Sequence, residues 1–208
     1  MHHLQPALFL LISSCTFVSR VSASETEIQL SQGLMAGEAT ETSVILQARL
    51  TETAKLVDGD VPGAAGTARF EYATSENFSP SSYAPWLSAT QATDFIVKAT
   101  LTRLTPETNY HYRLVYGRDA DSLKTSPPCS FRTLGGEAGE RDASFVVVTG
   151  MNYVAFHHGR LKQGKRLRDT AYQGSDKPLG YPALATIRRM KPDFFVGPGD
   201  NVYYDSND

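Results

Sequence analysis

The sequence predicts an all-β sandwich followed by the start of an α/β domain, and three observations predict this order. Between residues 43 and 134, polar and apolar positions alternate in five short runs, the pattern of strands with one face in a core. Residues 135–143 are rich in glycine and hold no large apolar side chain, which is typical of a domain boundary. After residue 143, continuous apolar runs replace the alternation, as in strands covered on both faces.

The composition fits a globular protein and indicates no nucleic-acid or membrane partner. The 208 residues are 41% hydrophobic and 20% charged, with a formal net charge of −2. Charge is unevenly distributed, however. Residues 24–142 hold 10 Lys and Arg against 16 Asp and Glu, whereas residues 157–191 hold 9 against 2. This difference favours two domains with different partners, and the oligomeric state is left open.

The N-terminus predicts a signal peptide over residues 1–23. Residues 6–18 are apolar but too short to span a bilayer, which takes about 20 residues. Residues 21–23 (Val-Ser-Ala) supply the small side chains of a cleavage site. The mature chain is therefore expected to begin near Ser24, and the protein is expected to be secreted or periplasmic.

A bacterial lipoprotein is the alternative reading of the same segment. Residues 12–15 resemble a lipoprotein box, in which Cys15 would carry the lipid anchor. No other segment is apolar and long enough to predict a transmembrane helix.

Residues 24–134 are expected to form the sandwich. Its five alternating runs are residues 43–50, 68–74, 95–104, 110–117 and 129–134. The most specific stretch is LTPETNYHYRL, residues 104–114, which resembles the tyrosine corner of fibronectin type III domains. The resemblance implies that the Tyr110 hydroxyl bonds to upstream backbone and holds the crossover between the two sheets. A fibronectin type III or immunoglobulin-like sandwich is therefore expected, joined by the linker 135–143 to a second domain.

Residues 144–208 are predicted to begin an α/β domain. The apolar run at 144–150 and the stretch DFFVGPGD, residues 193–200, predict two buried strands. Between them, residues 181–190 carry apolar side chains at helical spacing, with a proline in the first turn. Strand, loop, helix and strand form a crossover unit, and ligands gather at the carboxyl ends of such strands.

The residues after the second strand are candidate metal ligands. Gly199 lets backbone pass close to a ligand, Asp200 presents a hard anionic oxygen, and Tyr203 can return to the same side of the loop. A carboxylate with a phenol suits a hard, highly charged cation such as ferric iron. Two such ions can hold a phosphate ester while activating water. The alternative is an ordinary Gly-Asp turn.

The stretch GDNVYYD, residues 199–205, resembles the Gly-Asp-x-x-Tyr motif of two enzyme families. These are the purple acid phosphatases and the alkaline phosphatase D-like enzymes, both in the calcineurin-like metallophosphoesterase superfamily and both with an N-terminal β-sandwich. The order of elements is closer to the alkaline phosphatase D-like type, with a purple acid phosphatase-like enzyme as the alternative. The resemblance implies two-metal hydrolysis of phosphate esters, with Asp200 as bridging ligand, Tyr203 as ferric ligand and calcium beside the iron.

The end of the first strand departs from both families. Alkaline phosphatase D-like enzymes have a metal-binding cysteine where this chain has Met151, and a neutral thioether is a poor ligand for ferric iron. Asn152 is a further candidate ligand through its amide oxygen. The departure favours a second hypothesis, a non-catalytic secreted binding or adhesion protein with a degenerate phosphoesterase domain.

Both families take their remaining metal ligands and acid–base groups from sequence well beyond the motif. The catalytic residues are therefore expected beyond residue 208. The chain is expected to be the N-terminal fragment of a longer enzyme and to be inactive alone.

Basic residues after the first strand are candidate substrate contacts. His157, His158 and Arg160 follow the strand end closely enough to approach a phosphate ester. Adjacent histidines in an extended segment point to opposite sides, so at most one is expected to reach the site. The basic run at 159–169 either steers an anionic ester or is a solvated loop, and it is too poor in aromatic residues to indicate nucleic-acid binding.

Overall fold

The computed structural model of the protein describes residues 27–58, 60–139, 141–201 and 203. The expected signal peptide, its cleavage site and Cys15 lie outside the described residues. Within that described part, no helix has the length and apolar character needed to cross a membrane.

Nine strands form two antiparallel sheets in the described residues up to Arg132. In chain order they are β1 (Leu34–Gly37), β2 (Val44–Arg49), β3 (Gly66–Ala73), β4 (Ser82–Tyr83), β5 (Leu87–Ala89), β6 (Ile96–Leu101), β7 (Asn109–Gly117), β8 (Lys124–Thr125) and β9 (Cys129–Arg132). The smaller sheet has the order β1-β2-β6. In the larger sheet β3 pairs with β7, while β4 and β5 pair with β3, and β8 and β9 pair with β7.

The core lies between these two sheets and follows the predicted alternation. In β2, Val44 and Leu46 are fully buried, while the alternate residues Ile45 and Gln47 are partly exposed. Phe70 of β3 and Leu114 of β7 are fully buried in the same apolar cluster. Burying one such side chain contributes about 1.5–3 kcal/mol. The predicted all-β sandwich is confirmed, and its five predicted strands are β2, β3, β6, β7 and β9.

The predicted tyrosine corner is present at the start of β7. Tyr110 is buried, and its hydroxyl accepts a hydrogen bond of 2.9 Å from the backbone N–H of Thr105. The buried Thr133 hydroxyl donates to the Thr105 carbonyl at 2.7 Å and accepts from the Thr108 N–H at 2.9 Å. The crossover from β6 to β7 is thus held by one side chain from the start of β7 and one from the residue after β9.

The remaining elements confirm the predicted order of strand, helix and strand. They are β10 (Phe145–Val147), α1 (Tyr153–His158), β11 (Arg160–Lys162), β12 (Lys165–Leu167), α2 (Pro182–Met190) and β13 (Phe194–Val196). Strands β10 and β13 pair in parallel, whereas β11 and β12 form an antiparallel hairpin. Helix α1 and the hairpin lie within the stretch that the sequence predicts to be a loop.

Asp193 joins the chain entering β13 to the chain entering β10. Its carboxylate accepts hydrogen bonds from the Ser144 backbone N–H at 2.9 Å and from the Ser144 hydroxyl at 2.8 Å. Arg141 lies 3.3 Å from the same carboxylate. The bonds from Ser144 lower the pKa of Asp193, and the charges of Arg141 and Arg132 lower it further against a small opposing effect of desolvation.

Strands β10 and β13 are not covered on both faces within the described residues, contrary to the expectation from their apolar runs. Phe145 is 65% exposed and Val147 57%, while Phe195 and Val196 are also exposed. The sandwich and helix α2 do not pack over these side chains. An apolar run thus predicts a strand correctly without showing what covers it.

Candidate functional site

The loops that follow β10 and β13 are joined at their starts. The Val148 N–H donates to the Val196 carbonyl at 3.0 Å, which extends the parallel pairing by one residue. Beyond it, the Thr149 hydroxyl donates to the Gly199 carbonyl at 2.9 Å. Residues separated by about 50 positions in the sequence therefore meet at one sheet edge, as expected for the carboxyl ends of parallel strands.

Asp200 lies at this edge in a left-handed conformation. Its φ is 53°, and its backbone carbonyl accepts a hydrogen bond of 2.9 Å from the Met151 N–H. The residue is exposed, and its carboxylate accepts no hydrogen bond from the described residues. The backbone of Asp200 is thus fixed by the opposite loop, while its oxygens remain accessible.

The phenol of Tyr203 returns to the same edge. Its hydroxyl lies 4.0 Å from the position that a Cβ atom would take on Gly150, which has a φ of 77°. Gly150, Asp200 and Tyr203 together define what we call the strand-end site. The structure therefore brings the two sequence-predicted metal ligands to the end of the first strand.

A second phenol, that of Tyr181, lies against helix α1. The Tyr181 hydroxyl is buried and has no hydrogen-bond partner among the described residues. Burial raises the pKa of Tyr181, and the nearby phenols of Tyr153 and Tyr203 raise it further. The Tyr181 ring packs against Phe156 of α1, with 4.7 Å between ring centroids.

Asn152 has a structural role at the start of α1. Its side-chain oxygen accepts a hydrogen bond of 2.7 Å from the Ala155 N–H, which is an N-cap contact. This use of the amide oxygen argues against the expectation that Asn152 is a metal ligand. Met151, beside it, is half-buried and offers only a thioether.

The donor chemistry of the strand-end site fits a hard cation, but the described residues do not complete a metal site. Asp200 and Tyr203 supply oxygen ligands of the type that ferric iron and calcium take. In the part of the chain that the structure describes, no three His, Cys, Asp or Glu residues cluster as metal ligands would. A metal bound here would need further ligands from outside the described residues.

A cleft of about 700 Å³ opens beside helix α1 and the β11–β12 hairpin. We call it the basic cleft, and its lining residues are Tyr153, Val154, His157, His158, Arg166, Arg168, Ala171, Gln173 and Lys177. Both histidines line it, so the expectation that they point to opposite sides is wrong. They lie on a helix, where neighbours are about 100° apart rather than 180°. Arg160 does not line the cleft.

The surroundings of His157 lower its pKa and favour the neutral imidazole. Burial lowers the pKa of its imidazole below 6.5, and the charges of Lys177 and His158 lower it further. The ring also packs on Tyr153, with 4.2 Å between ring centroids. The permanent cations of the basic cleft are therefore Arg166, Arg168 and Lys177.

A second cleft, of about 870 Å³, lies between the sandwich and the residues before β10 and β13. Both of its arginines lie beside carboxylates. Arg132 lies 3.4 Å from Glu107, and Arg141 lies 3.3 Å from Asp193. We call it the junction cleft, and its arginines are paired with carboxylates of the protein.

Comparison with known proteins places the chain in a family. Residues 16–135 match the family described as "PhoD-like phosphatase, N-terminal domain". The chain belongs to this family. The resemblance to alkaline phosphatase D-like enzymes is therefore confirmed, and the chain is a member of a phosphoesterase family.

Among solved structures, this PhoD-like chain is similar to one described as the structure of PhoD. The TM-score is 0.60 and the identity 19%, and the match covers 86% of this chain and 29% of that chain. This likeness shows a shared fold through the sandwich and into the α/β part. The chain spans less than a third of the length of that PhoD structure.

Two further similar structures have TM-scores below 0.5, too low to support any inference about this chain. One is the sensor domain of the anti-sigma factor RsgI4 in Pseudobacteroides cellulosolvens, at 22% identity over 54% of this chain and 98% of that chain, with a TM-score of 0.37. The other is a human fibronectin type III domain derived from KIAA0970, at 13% identity over 57% and 80%, with a TM-score of 0.34. No curated protein matches the PhoD-like chain.

Some residues of the PhoD-like chain that line or adjoin these sites were not singled out from sequence. Arg166 and Arg168 lie in the basic run at 159–169, so a signal for them was present. Lys177 and Tyr181 come after that run without any distinguishing pattern. They reach the site because the chain folds back from the hairpin onto helix α1, where the Lys177 ammonium donates to the His157 carbonyl at 2.8 Å.

Proposed function

We propose that the chain is the N-terminal part of an exported, metal-dependent phosphoesterase that hydrolyses phosphate esters. The observation that carries this proposal is the strand-end site. Asp200 and Tyr203 lie there on a loop whose backbone is bonded to the loop after β10. Membership in the PhoD-like family supplies the reaction class.

Asp200 and Tyr203 are the residues that would hold the metals. Asp200 is the proposed bridging ligand, with Tyr203 bound to ferric iron and calcium beside the iron. When bound, such ions supply an activated water and neutralise charge on the phosphate. The contribution of this chain is to fix two oxygen ligands at one sheet edge and to leave the Asp200 carboxylate accessible.

The remaining ligands and the catalytic acid–base groups are proposed to come from a longer protein of which this chain is a fragment. The exposed Phe145, Val147, Phe195 and Val196 support this, since apolar strand residues of an α/β sheet are normally covered by further layers. The chain alone is then inactive. Residues 24–134, 135–143 and 144–208 are the proposed sandwich, linker and first part of the catalytic domain.

Export is proposed from the sequence of residues 1–23, with cleavage before Ser24 and a secreted or periplasmic product. Anchoring through Cys15 is the alternative. Mass spectrometry of the protein purified from its own cells distinguishes the two, because cleavage before Ser24 removes Cys15, whereas a lipoprotein retains it with added acyl mass.

The test of the catalytic proposal is Asp200→Asn in the full-length protein, with Asp121→Asn in an exposed sandwich loop as control. We expect Asp200→Asn to lower bound metal per protein and to abolish hydrolysis of a phosphate ester, while Asp121→Asn changes neither. Unchanged metal content and turnover in Asp200→Asn would remove the catalytic assignment.

The second candidate function is a binding protein with a degenerate phosphoesterase domain, and Met151 is the observation that favours it. A thiolate binds ferric iron more strongly than a thioether does. Met151→Cys should therefore raise iron retention in the full-length protein if Asp200 and Tyr203 still form an iron site. No gain in iron, together with an inactive parent protein, would favour the binding role.

A further inference from the structure

Arg69 of β3 lies between two aromatic rings on the outer face of the larger sheet. Its guanidinium carbon is 4.1 Å from the ring centroid of Tyr83 and 4.5 Å from that of Trp86. Phe70, the next residue of β3, is buried in the core, so the Arg69 side chain is on the opposite, outer face. Tyr83 is 47% exposed and Trp86 44%. These three side chains form what we call the sheet-face stack, and both of its rings remain accessible to solvent.

The charge of Arg69 has no carboxylate partner among the described residues. Two other cations of the described part of the chain lie over aromatic rings, and each of them is paired with an acid. Arg113 lies 2.7 Å from the carboxylate of Glu71. Lys124 lies 2.7 Å from that of Glu27. Arg69 alone of these three cations is left for an anion from outside the described residues.

Glu71, two residues along β3 on the same face, does not pair with Arg69. Its buried carboxylate accepts hydrogen bonds from Arg113, Ser81 and Tyr83 at 2.7, 2.8 and 2.9 Å. The charge of Glu71 is thus already matched by that of Arg113. The bond from the Tyr83 hydroxyl also fixes the ring that covers Arg69, so one side of the sheet-face stack is held in place before any ligand binds.

The terminal nitrogens of Arg69 are its available binding groups. Nε is buried and has no hydrogen-bond partner among the described residues. The two terminal nitrogens are not enclosed in this way, and they too bond to no described residue. A guanidinium whose faces lie on aromatic rings keeps its N–H groups at the edge, where they match the two oxygens of one carboxylate. The sheet-face stack therefore suits a ligand with a single negative charge at this point.

The exposed ring of Trp86 favours a saccharide as the carrier of that carboxylate. A pyranose ring has a face of C–H groups that packs on an indole ring, and it has hydroxyl groups around its rim. The pairing of β3 with β5 places Ser88 opposite Thr67, on the same face as Arg69. Ser88 is exposed, so its hydroxyl is available to the rim of a sugar that lies on Trp86.

An extended peptide fits this edge of the sheet less well. Addition of a strand depends on a run of main-chain hydrogen bonds along the edge. Strands β4 and β5 contain only two and three residues, and Pro85, which lies between them, has no N–H to donate. Recognition here therefore depends on side chains, and the side chains that are exposed are two rings and one guanidinium.

We propose that the sheet-face stack is a binding site for an acidic saccharide. The Arg69 guanidinium binds the carboxylate of a uronic acid residue, Trp86 packs on the sugar ring, and Tyr83 holds Arg69 in position. The site lies on the sandwich, so this inference does not depend on the proposed phosphoesterase activity. Its effect is to attach the sandwich to an acidic polysaccharide.

Fluorescence of Trp86, the single tryptophan, tests the proposal directly. The full chain is titrated with the trimers of galacturonic, glucuronic and mannuronic acid, in EDTA so that no metal ion mediates binding. With at least one trimer we expect a saturable change in emission and weaker quenching by acrylamide. The methyl ester of that trimer, which lacks the charge, should bind about tenfold more weakly. No saturable change with any trimer, or equal affinity for the ester, overturns the proposal.

Variants of Arg69 distinguish a binding site from a purely structural stack. Arg69→Gln should weaken binding of the trimer about tenfold. Arg69→Lys should weaken it less, because an ammonium keeps the charge but lacks the planar fork. The control is Lys98→Gln, which removes a charge from an exposed position of β6 in the other sheet and should leave the affinity unchanged. Equal weakening by Arg69→Gln and Lys98→Gln overturns the proposal, because the attraction is then general.

Removal of the indole is the second test, and it is measured by calorimetry because the variant lacks the fluorescent probe. Trp86→Ala should weaken binding of the trimer more than Trp86→Phe does, since a phenyl ring keeps part of the stacking surface. Unchanged affinity in Trp86→Ala overturns the proposal. Thermal unfolding shows whether each variant is folded. If one is not, the titration of the unaltered chain with acid and ester still decides.

A peptide ligand is the competing outcome of the same measurements. Tighter binding of a glutamate-rich peptide than of any uronic acid trimer, lost in Arg69→Gln, overturns the proposal, because the sheet-face stack then docks a protein. Weaker binding of that peptide than of the best trimer supports the saccharide. If Arg69→Gln lowers the unfolding temperature and the parent binds no trimer, the stack serves only to hold β4 and β5 on β3, and the proposal is overturned.

Discussion

The Tyr110 hydroxyl accepts a 2.9 Å hydrogen bond from the backbone N–H of Thr105, and this bond closes the crossover between the two sheets of the sandwich. Thr105 follows β6 of the smaller sheet, and Tyr110 lies in β7 of the larger one. The Tyr110 phenol thus fixes the short segment between β6 and β7, which links the two sheets.

Tyr110→Phe should destabilise the sandwich by about 1–3 kcal/mol, because the partly buried Thr105 N–H then lacks its acceptor. Tyr72→Phe, on the adjacent strand β3, is the control, since its hydroxyl makes no hydrogen bond to described residues. We expect it to cost less than about 0.5 kcal/mol. The free energy of unfolding of both variants can be measured by denaturant unfolding, followed by the fluorescence of Trp86, the single tryptophan. Equal losses would show that the corner bond adds nothing specific.

Glu71 is a buried carboxylate with three side-chain donors. Arg113 lies 2.7 Å away, and the Ser81 and Tyr83 hydroxyls donate at 2.8 and 2.9 Å. Burial by itself raises the pKa of Glu71, but the bonds from these donors and the charge of Arg113 outweigh it and lower the pKa below 4.5. The ionised form is therefore favoured by folding.

Stability due to Glu71 should be fully present above pH 4.5 and should be lost as the pH falls through its lower folded-state pKa. Glu71→Gln should cost about 1–3 kcal/mol at pH 7 and should flatten the acid limb of the stability curve. Exposed Glu76→Gln is the control and should leave the curve unchanged. Urea unfolding between pH 2 and pH 7 measures the free energy of unfolding of each variant. If that free energy falls as steeply with acid in Glu71→Gln as in the parent, Glu71 is not the source of the acid limb.

Lys177→Gln should raise the pKa of His157, because one of the two charges that lower it is removed. Burial, which is the largest cause of the lowered value, and the charge of His158 remain. The stability contributed by neutral His157 is present above pH 6.5 and is lost as the pH falls below it. NMR titration of the imidazole protons measures the shift. Lys165→Gln is the control and should leave the pKa of His157 unchanged. An equal shift in both variants would show that Lys177 does not act on His157 through its proximity.

Gly159→Ala should disturb the β11–β12 hairpin. Gly159 has a φ of 91°, and a Cβ there would overlap the Leu167 carbonyl oxygen. Gly164, at the hairpin turn, also has a positive φ but faces open space, so Gly164→Ala incurs only backbone strain of about 1–2 kcal/mol. Hydrogen exchange of the hairpin amides should accelerate more in Gly159→Ala. Equal acceleration would show that the close contact with Leu167 is relaxed without cost.

The sequence predicted β2, β3, β6 and β7 because six to nine residues suffice to show alternation, and it predicted the four-residue β9 within the longer alternating run 129–134. Strands β1, β4, β5 and β8 contain two to four residues each, too few for a period of two to be visible, and they form because β2, β3 and β7 offer open edges. The parallel pairing of β10 with β13 was predictable from the order of elements. Two apolar runs on either side of a helical pattern indicate a crossover unit, in which the strands run parallel.

The strand-end site was accessible from sequence, whereas the basic cleft was accessible only in part. Asp200 and Tyr203 follow a recognisable strand, and strand ends gather ligands. His157 and His158 were read in an extended segment, but the N-cap bond of Asn152 starts a short helix there. Lys177 joins them through a contact across 20 residues, and no local pattern encodes such a contact.

The exposed β10–β13 pair has a consequence for production of the protein in shortened forms. Apolar strand residues without a covering layer are sites at which identical chains aggregate. Residues 24–139 would leave this pair out and should stay monomeric at concentrations where residues 24–208 scatter light. A shortened protein for studying the sandwich alone should therefore end before Arg141. From Arg141 onward, the chain is bound to Asp193 and belongs to the second part of the protein.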